Sequence, residues 1–97
     1  MPQQSSPEPK FPLGKLVATP GAIRAMMEAK QGPLEFLARH VSGDWGDVPE
    51  EDKAANDADL EAGGRLLSSY RLTTSVKLWI ITEADRSATT ILLPEEY

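Results

Sequence analysis

His40 is the only imidazole in the chain and the first side chain to consider for chemistry, because an imidazole can give or take a proton near neutral pH. It lies in the stretch Phe36-Leu37-Ala38-Arg39-His40-Val41-Ser42-Gly43-Asp44-Trp45-Gly46-Asp47. There it could act as a general acid or base. At the predicted end of a helix, a cationic ring could instead stabilise the last carbonyls. The loop Ser42–Asp47 could be a binding loop with Trp45 as an aromatic platform. It could equally be a tight connection, with glycines at positive φ and Trp45 anchored in the core. A second stretch, Ile81-Thr82-Glu83-Ala84-Asp85-Arg86-Ser87, clusters charge at a predicted hairpin tip. In a catalytic set the guanidinium of Arg86 would hold an anion, with Glu83 or Asp85 as base or orienter. The plainer alternative is an ion-paired turn.

The catalytic candidates are therefore His40, Glu83, Asp85 and Arg86. The binding candidates are Arg39, His40, Asp44, Trp45, Asp85, Arg86 and Ser87. No metal site or cofactor is expected. Asp57 and Asp59 resemble part of a calcium loop, but the glycine and later glutamate of such a loop are missing. The sequence contains no phosphate-cradling glycine motif, nucleophile elbow or His-x-x-x-His pair. It has no cysteine either, which removes thiolate ligands and disulfides and fits a reducing, cytoplasmic setting.

The elements that must position these residues follow from pattern. Residues 1–12 hold four prolines, two serines and two glutamines and are expected to be a disordered arm, with one domain over 13–97. Leu13–Ala18 is an edge strand or an extended lead-in. Thr19-Pro20 predicts a helix start, and Ile23, Met26 and Met27 give that helix a buried stripe until Gly32. Gly32-Pro33 opens a second helix with Leu34, Leu37, Ala38 and Val41 facing inward. A third helix runs from about Val48-Pro49 to Ala62, with acids in its first turn and a thin apolar side of Ala54, Ala55, Ala58 and Leu60. From Arg65 the period changes to two, and Arg65–Leu72, Val76–Thr82 and Ala88–Leu93 predict an antiparallel meander. The fold class is α+β: two or three short helices, then a three-stranded meander, with a possible extra N-terminal edge strand. Helices cover one sheet face easily, and the cover of the other is left open.

Charge narrows the partners. Residues 47–62 carry seven acids against Lys53, while the rest has nine basic and eight acidic residues. A net charge of -5 concentrated in this way argues against broad nucleic-acid binding. No apolar run approaches the ~20 residues of a membrane span, and the start lacks the apolar stretch of a secretory signal.

Several motifs together, Phe36–His40, Ser42-Gly43-Asp44-Trp45-Gly46, Ser69-Tyr70, Ile81–Ser87 and the ending Leu92-Leu93-Pro94-Glu95-Glu96-Tyr97, resemble those of a family of small bacterial proteins of unknown function, often labelled hypothetical or plasmid-related. The resemblance spans about residues 13–97. It departs at Thr73-Thr74-Ser75, where the family carries a glycine-containing hairpin. It implies a bacterial, cytosolic protein and supplies no activity.

Three functions are open at this stage. A non-enzymatic protein-interaction or regulatory module, binding a protein partner or forming a homodimer, follows from an apolar sheet larger than three short helices are expected to cover. A small metal-independent ribonuclease-like hydrolase, similar to compact toxins of mobile elements, would use His40 as base and Arg86 as phosphate holder. A small-ligand sensor would use the Trp45 loop and the Asp85-Arg86 tip.

Overall fold

Thr19 begins the first helix as its type and position require. Its hydroxyl accepts the N–H of Ala22 at 3.1 Å, and Pro20 occupies the first helical position. The computed structural model describes residues 9–97. Their elements, in chain order, are β1 (Lys15–Ala18), α1 (Pro20–Ala29), α2 (Pro33–Val41), α3 (Glu50–Ala62), β2 (Leu66–Arg71), β3 (Lys77–Thr82), β4 (Ala88–Leu92) and a 3₁₀ turn at Pro94–Glu96. The class is α+β. No helix among the described residues is long and apolar enough to cross a membrane.

The sheet runs β1-β4-β3-β2. β2, β3 and β4 form the antiparallel meander, and β1 is the extra edge strand, lying parallel to β4. The β2–β3 turn places Ser75 at φ 73°, a left-handed conformation that glycine adopts more readily. Register puts Leu66, Ser68, Tyr70, Leu78, Ile80, Thr82, Thr89 and Ile91 on the face that α1 and α2 cover. On the other face the chain end folds back, so that the Tyr97 ring meets Trp79 edge-on at 5.7 Å. Glu96 ties this end to α1 by accepting the Thr19 hydroxyl at 2.5 Å.

The helices roll away from their expected faces. In α1 the core side is Ala22, Ala25 and Met26, whereas Ile23 and Met27 are exposed. Small alanines let the helix lie close to the sheet, so the larger side chains point outward. α1 also stops at Ala29 rather than near Gly32. Lys30 takes the left-handed position at φ 57°, and Gly32 caps the start of α2. In α2 the inward residues are Phe36, Leu37 and His40, while Leu34 and Ala38 face solvent. α3 exposes Ala54, Ala55 and Ala58 and buries Asn56. It therefore sits at the margin of the sheet beside β2.

The boundary expected at residue 13 also moves. Phe11 is buried with Trp45, Val48 and Leu66, and the Lys10 N–H donates to the Val41 carbonyl at 2.7 Å. A single large aromatic outweighs the prolines around it, because its burial offsets the ordering of a few residues. Residues 1–8 of the expected arm lie outside the described residues.

Candidate functional site

The two stretches that carry the candidate residues do meet, and His40 joins them. Its position near the end of α2 aims the ring at the sheet. Nδ1 lies 2.5 Å from the Ser68 hydroxyl on β2, and Nε2 lies 2.9 Å from the Thr82 hydroxyl on β3. Thr82 continues to Thr89 at 2.7 Å, and Thr89 donates to the Leu13 carbonyl at 2.7 Å. Phe11 and Trp45 press edge-on against the imidazole, with centroids 5.2 and 5.7 Å away. The ring is 0% exposed, and burial pushes its pKa down from 6.5 to about 4. At neutral pH it is an uncharged link in a buried chain of hydroxyls that runs from β2 through β3 and β4 to the Leu13 carbonyl, just ahead of β1. This corrects the expectation of a cationic ring capping the helix, because a charge so enclosed would forfeit its hydration.

Arg86 is occupied in a similar way. It stands at φ 61° in the β3–β4 turn. Nη1 donates to the carbonyls of Gly64 at 2.7 Å and of Glu83 and Ala84 at 3.2 Å, and Nη2 donates to Asp59 at 3.0 Å. The guanidinium thus caps the carbonyl end of α3, where a cation is favoured, and closes its own turn. It also lies 5.7 Å from the Phe11 ring centroid. Phe11 therefore touches both His40 and Arg86, and no hydrogen bond joins the two among the described residues.

The remaining candidates shape loops. Arg39 holds Asp44 through Nε at 2.7 Å and lies over the Tyr70 ring at 4.5 Å. That guanidinium, with the Gly46 N–H, keeps the Asp44 carboxyl below its ordinary pKa and is itself raised by its bond to Asp44. The Asp44 carbonyl accepts the Tyr70 hydroxyl at 2.6 Å. Trp45 is core, stacked on Phe11, with its indole N–H donated to Asp57 at 2.9 Å. Asp85 accepts the Ser87 N–H at 3.0 Å as a local turn, and the bonds from Ser87 lower its pKa. Glu83, Asp85 and Ser87 are exposed. Chemically, the ensemble is a hydrogen-bonded and aromatic centre that fixes loops and strands.

The two edges of the sheet are treated differently. The outer edge of β2 is closed by the chain itself. The Asn56 side chain accepts the Leu67 N–H at 3.2 Å and donates to the Leu67 carbonyl at 2.8 Å, as a neighbouring strand would. Ser69 continues the seal, its N–H donating to Trp45 at 3.0 Å and its carbonyl accepting from Asp47 at 2.6 Å. Gly46 makes this approach possible, since a Cβ there would stand 2.0 Å from the Ser69 carbonyl oxygen. β1, by contrast, has no neighbour beyond β4 among the described residues.

Around that open edge lie Leu16 (53% exposed), Val17 (42%), Ile23 (46%) and Met27 (72%). They border an apolar groove of about 450 Å³ with Leu37 and Ile91 in its lining. A second shallow surface continues across α1 over Pro20, Ile23, Arg24, Met27 and Glu28.

No family model, no curated protein and no solved structure matches this chain.

Sequence reasoning missed the partners more than the principals. Ser68, Thr82 and Thr89 read as ordinary strand residues, and only their inward register makes them a relay for His40. Asn56 gave a usable signal: it is a polar residue one helical turn before Leu60 on the helix side that packs. Ile23 and Met27 have the apolar spacing of a buried stripe yet stand exposed.

Proposed function

We propose that this chain is a non-enzymatic protein-interaction or regulatory module whose contact surface is the face formed by β1 and α1. The observation that carries the reading is the contrast between the two sheet edges. One is sealed by Asn56 and the Trp45–Asp47 loop. The other has no neighbouring strand among the described residues and is ringed by exposed Leu16, Val17, Ile23 and Met27. An open edge flanked by apolar side chains is a template for strand addition and an aggregation hazard unless something covers it. A cytoplasmic setting, and the bacterial origin implied by the motif resemblance, belong to this reading.

A ribonuclease-like hydrolase would need an accessible base and a free anion holder. His40 has both ring nitrogens engaged and no exposed surface, and Arg86 already spends both Nη atoms on backbone carbonyls of Gly64, Glu83, Ala84 and Asp59. No observation favours that alternative.

The test is the double substitution Ile23→Lys/Met27→Lys, read by apolar-dye fluorescence and thermal unfolding at neutral pH. Diluted to the monomer, the wild-type chain should bind the dye in its native state, and the variant should lose that binding with its melting midpoint kept. A monomeric wild-type chain that binds no dye, or a variant that unfolds because these residues hold the core, would overturn the reading.

A further inference from the structure

We propose that the occupant of the β1–α1 face is a second copy of this chain, joined by antiparallel pairing of the two β1 strands about a two-fold axis at Val17. The inference rests on the interaction reading above and names its partner.

The backbone of β1 sets the register. Its parallel pairing with β4 uses the N–H groups of Lys15, bonded to Ser87, and of Thr19, bonded to Ile91, each at 3.0 Å. Alternation along a strand then directs the N–H and C=O of Leu16 and Ala18 outward. In a copy related by a two-fold axis at Val17, Leu16 of each chain faces Ala18 of the other. Both are the outward-bonding residues, so the match supplies four N–H···O bonds. Val17 meets its own equivalent as the close, non-bonded pair between them. A shift of one residue would pair side chains that point to opposite faces of the sheet.

Side-chain charges accept the same symmetry. The axis is perpendicular to the sheet, so both α1 helices fall on one side and run antiparallel. Each offers Ile23 and Met27 with Arg24 toward one end of the stripe and Glu28 toward the other. The antiparallel arrangement turns the arginine end of one stripe to the glutamate end of its copy. Lys15 would face Thr19 of the second copy, leaving the two lysines about 13 Å apart along the strands. That exceeds the screening length of about 8–10 Å at physiological salt. The acidic α3 packs beside β2, at the opposite margin of the sheet, and does not meet its equivalent. Four backbone bonds and one short helix stripe would join the copies, so the dimer should dissociate on dilution.

The experiment combines sedimentation equilibrium of the full chain with a cysteine probe. The sequence has no cysteine, so Val17→Cys introduces a unique thiol. A close antiparallel pair holds its Cα atoms about 4.5 Å apart, within the ~4.4–6.8 Å that a disulfide spans. Wild-type mass should double from 10.6 kDa as concentration rises. Val17→Cys should oxidise to a covalent dimer at least about tenfold faster than Thr74→Cys in the exposed β2–β3 turn, because pairing raises the effective thiol concentration. Val17→Glu should stay monomeric with its melting midpoint retained. Mass that never doubles overturns the inference, as does a dimer in which Val17→Cys oxidises no faster than Thr74→Cys. If the chain stays monomeric yet binds apolar dye through Ile23 and Met27, the second copy fails alone. If dye binding is absent too, the interaction reading fails with it.

Discussion

Acidification from pH 7.5 to 5 should weaken the fold through a single side chain, His40, and the size of the loss follows from its burial. The folded pKa is about 4 against 6.5 for a free imidazole, with burial as the cause. Between those values the unfolded chain binds a proton that the native chain refuses. Stability is therefore complete above about pH 6.5 and falls as pH drops toward 4. At about 1.4 kcal/mol per pH unit, the loss is about 2 kcal/mol at pH 5 and about 3 kcal/mol by pH 4. Against the ~5–15 kcal/mol of a typical domain this is large. Carboxylates add little between pH 7.5 and 5 and join the loss only nearer pH 4. Asp44, Asp85 and Glu96 have lowered pKa values, so their contributions are present above the ordinary carboxylate values of 3.8 to 4.5 and fade only below them.

The assay is urea unfolding at pH 7.5, 6 and 5, followed by the fluorescence of Trp45 and Trp79, for the wild-type chain and for His40→Gln. Glutamine keeps a donor and an acceptor without titrating, so the variant should show a flat profile over this range even if its absolute stability is lower. A wild-type stability that stays level from pH 7.5 to 5, or a His40→Gln variant with the same slope, would refute the reasoning. So would an NMR titration that places the imidazole near 6.5.

Two further substitutions probe the sealed edge. Asn56→Ala removes both bonds to Leu67, and it should cost about 1–3 kcal/mol in chemical unfolding while adding concentration-dependent aggregation in light scattering. Gly46→Ala combines φ 76° with a Cβ 2.0 Å from the Ser69 carbonyl oxygen. It should lower stability by more than about 3 kcal/mol and speed hydrogen exchange at the Ser69 amide, since both backbone strain and the lost bridge act on one strand.

Much of the framework was legible along the chain. Thr19-Pro20 supplied a cap and a pre-set φ, Gly63 supplied a left-handed stop, and period-two alternation after Arg65 marked three strands. These are local events whose physics lies within a few residues. The faces of the helices were not legible, since Ile23, Met27 and Leu34 have apolar spacing yet stand exposed. Which arc of a helix is buried depends on how closely its backbone approaches the sheet, and Ala22 sets that distance in α1.

The candidate site divides in the same way. Residue order is enough to place His40, Trp45, Asp44 and Arg86 where elements end, because glycines and charges break helical and strand periods there. What those residues do depends on the packing around them. Phe11 arrives from outside the expected domain to close over His40 and lie against Arg86. Strand register brings Ser68, Thr82 and Thr89 beneath the imidazole. Parallel pairing places β1 at one edge of the sheet, with no strand beyond it among the described residues, while Asn56 closes the other edge. A buried proton site and an unpaired edge are properties of neighbours distant in sequence, and side-chain type or spacing along one chain does not specify them.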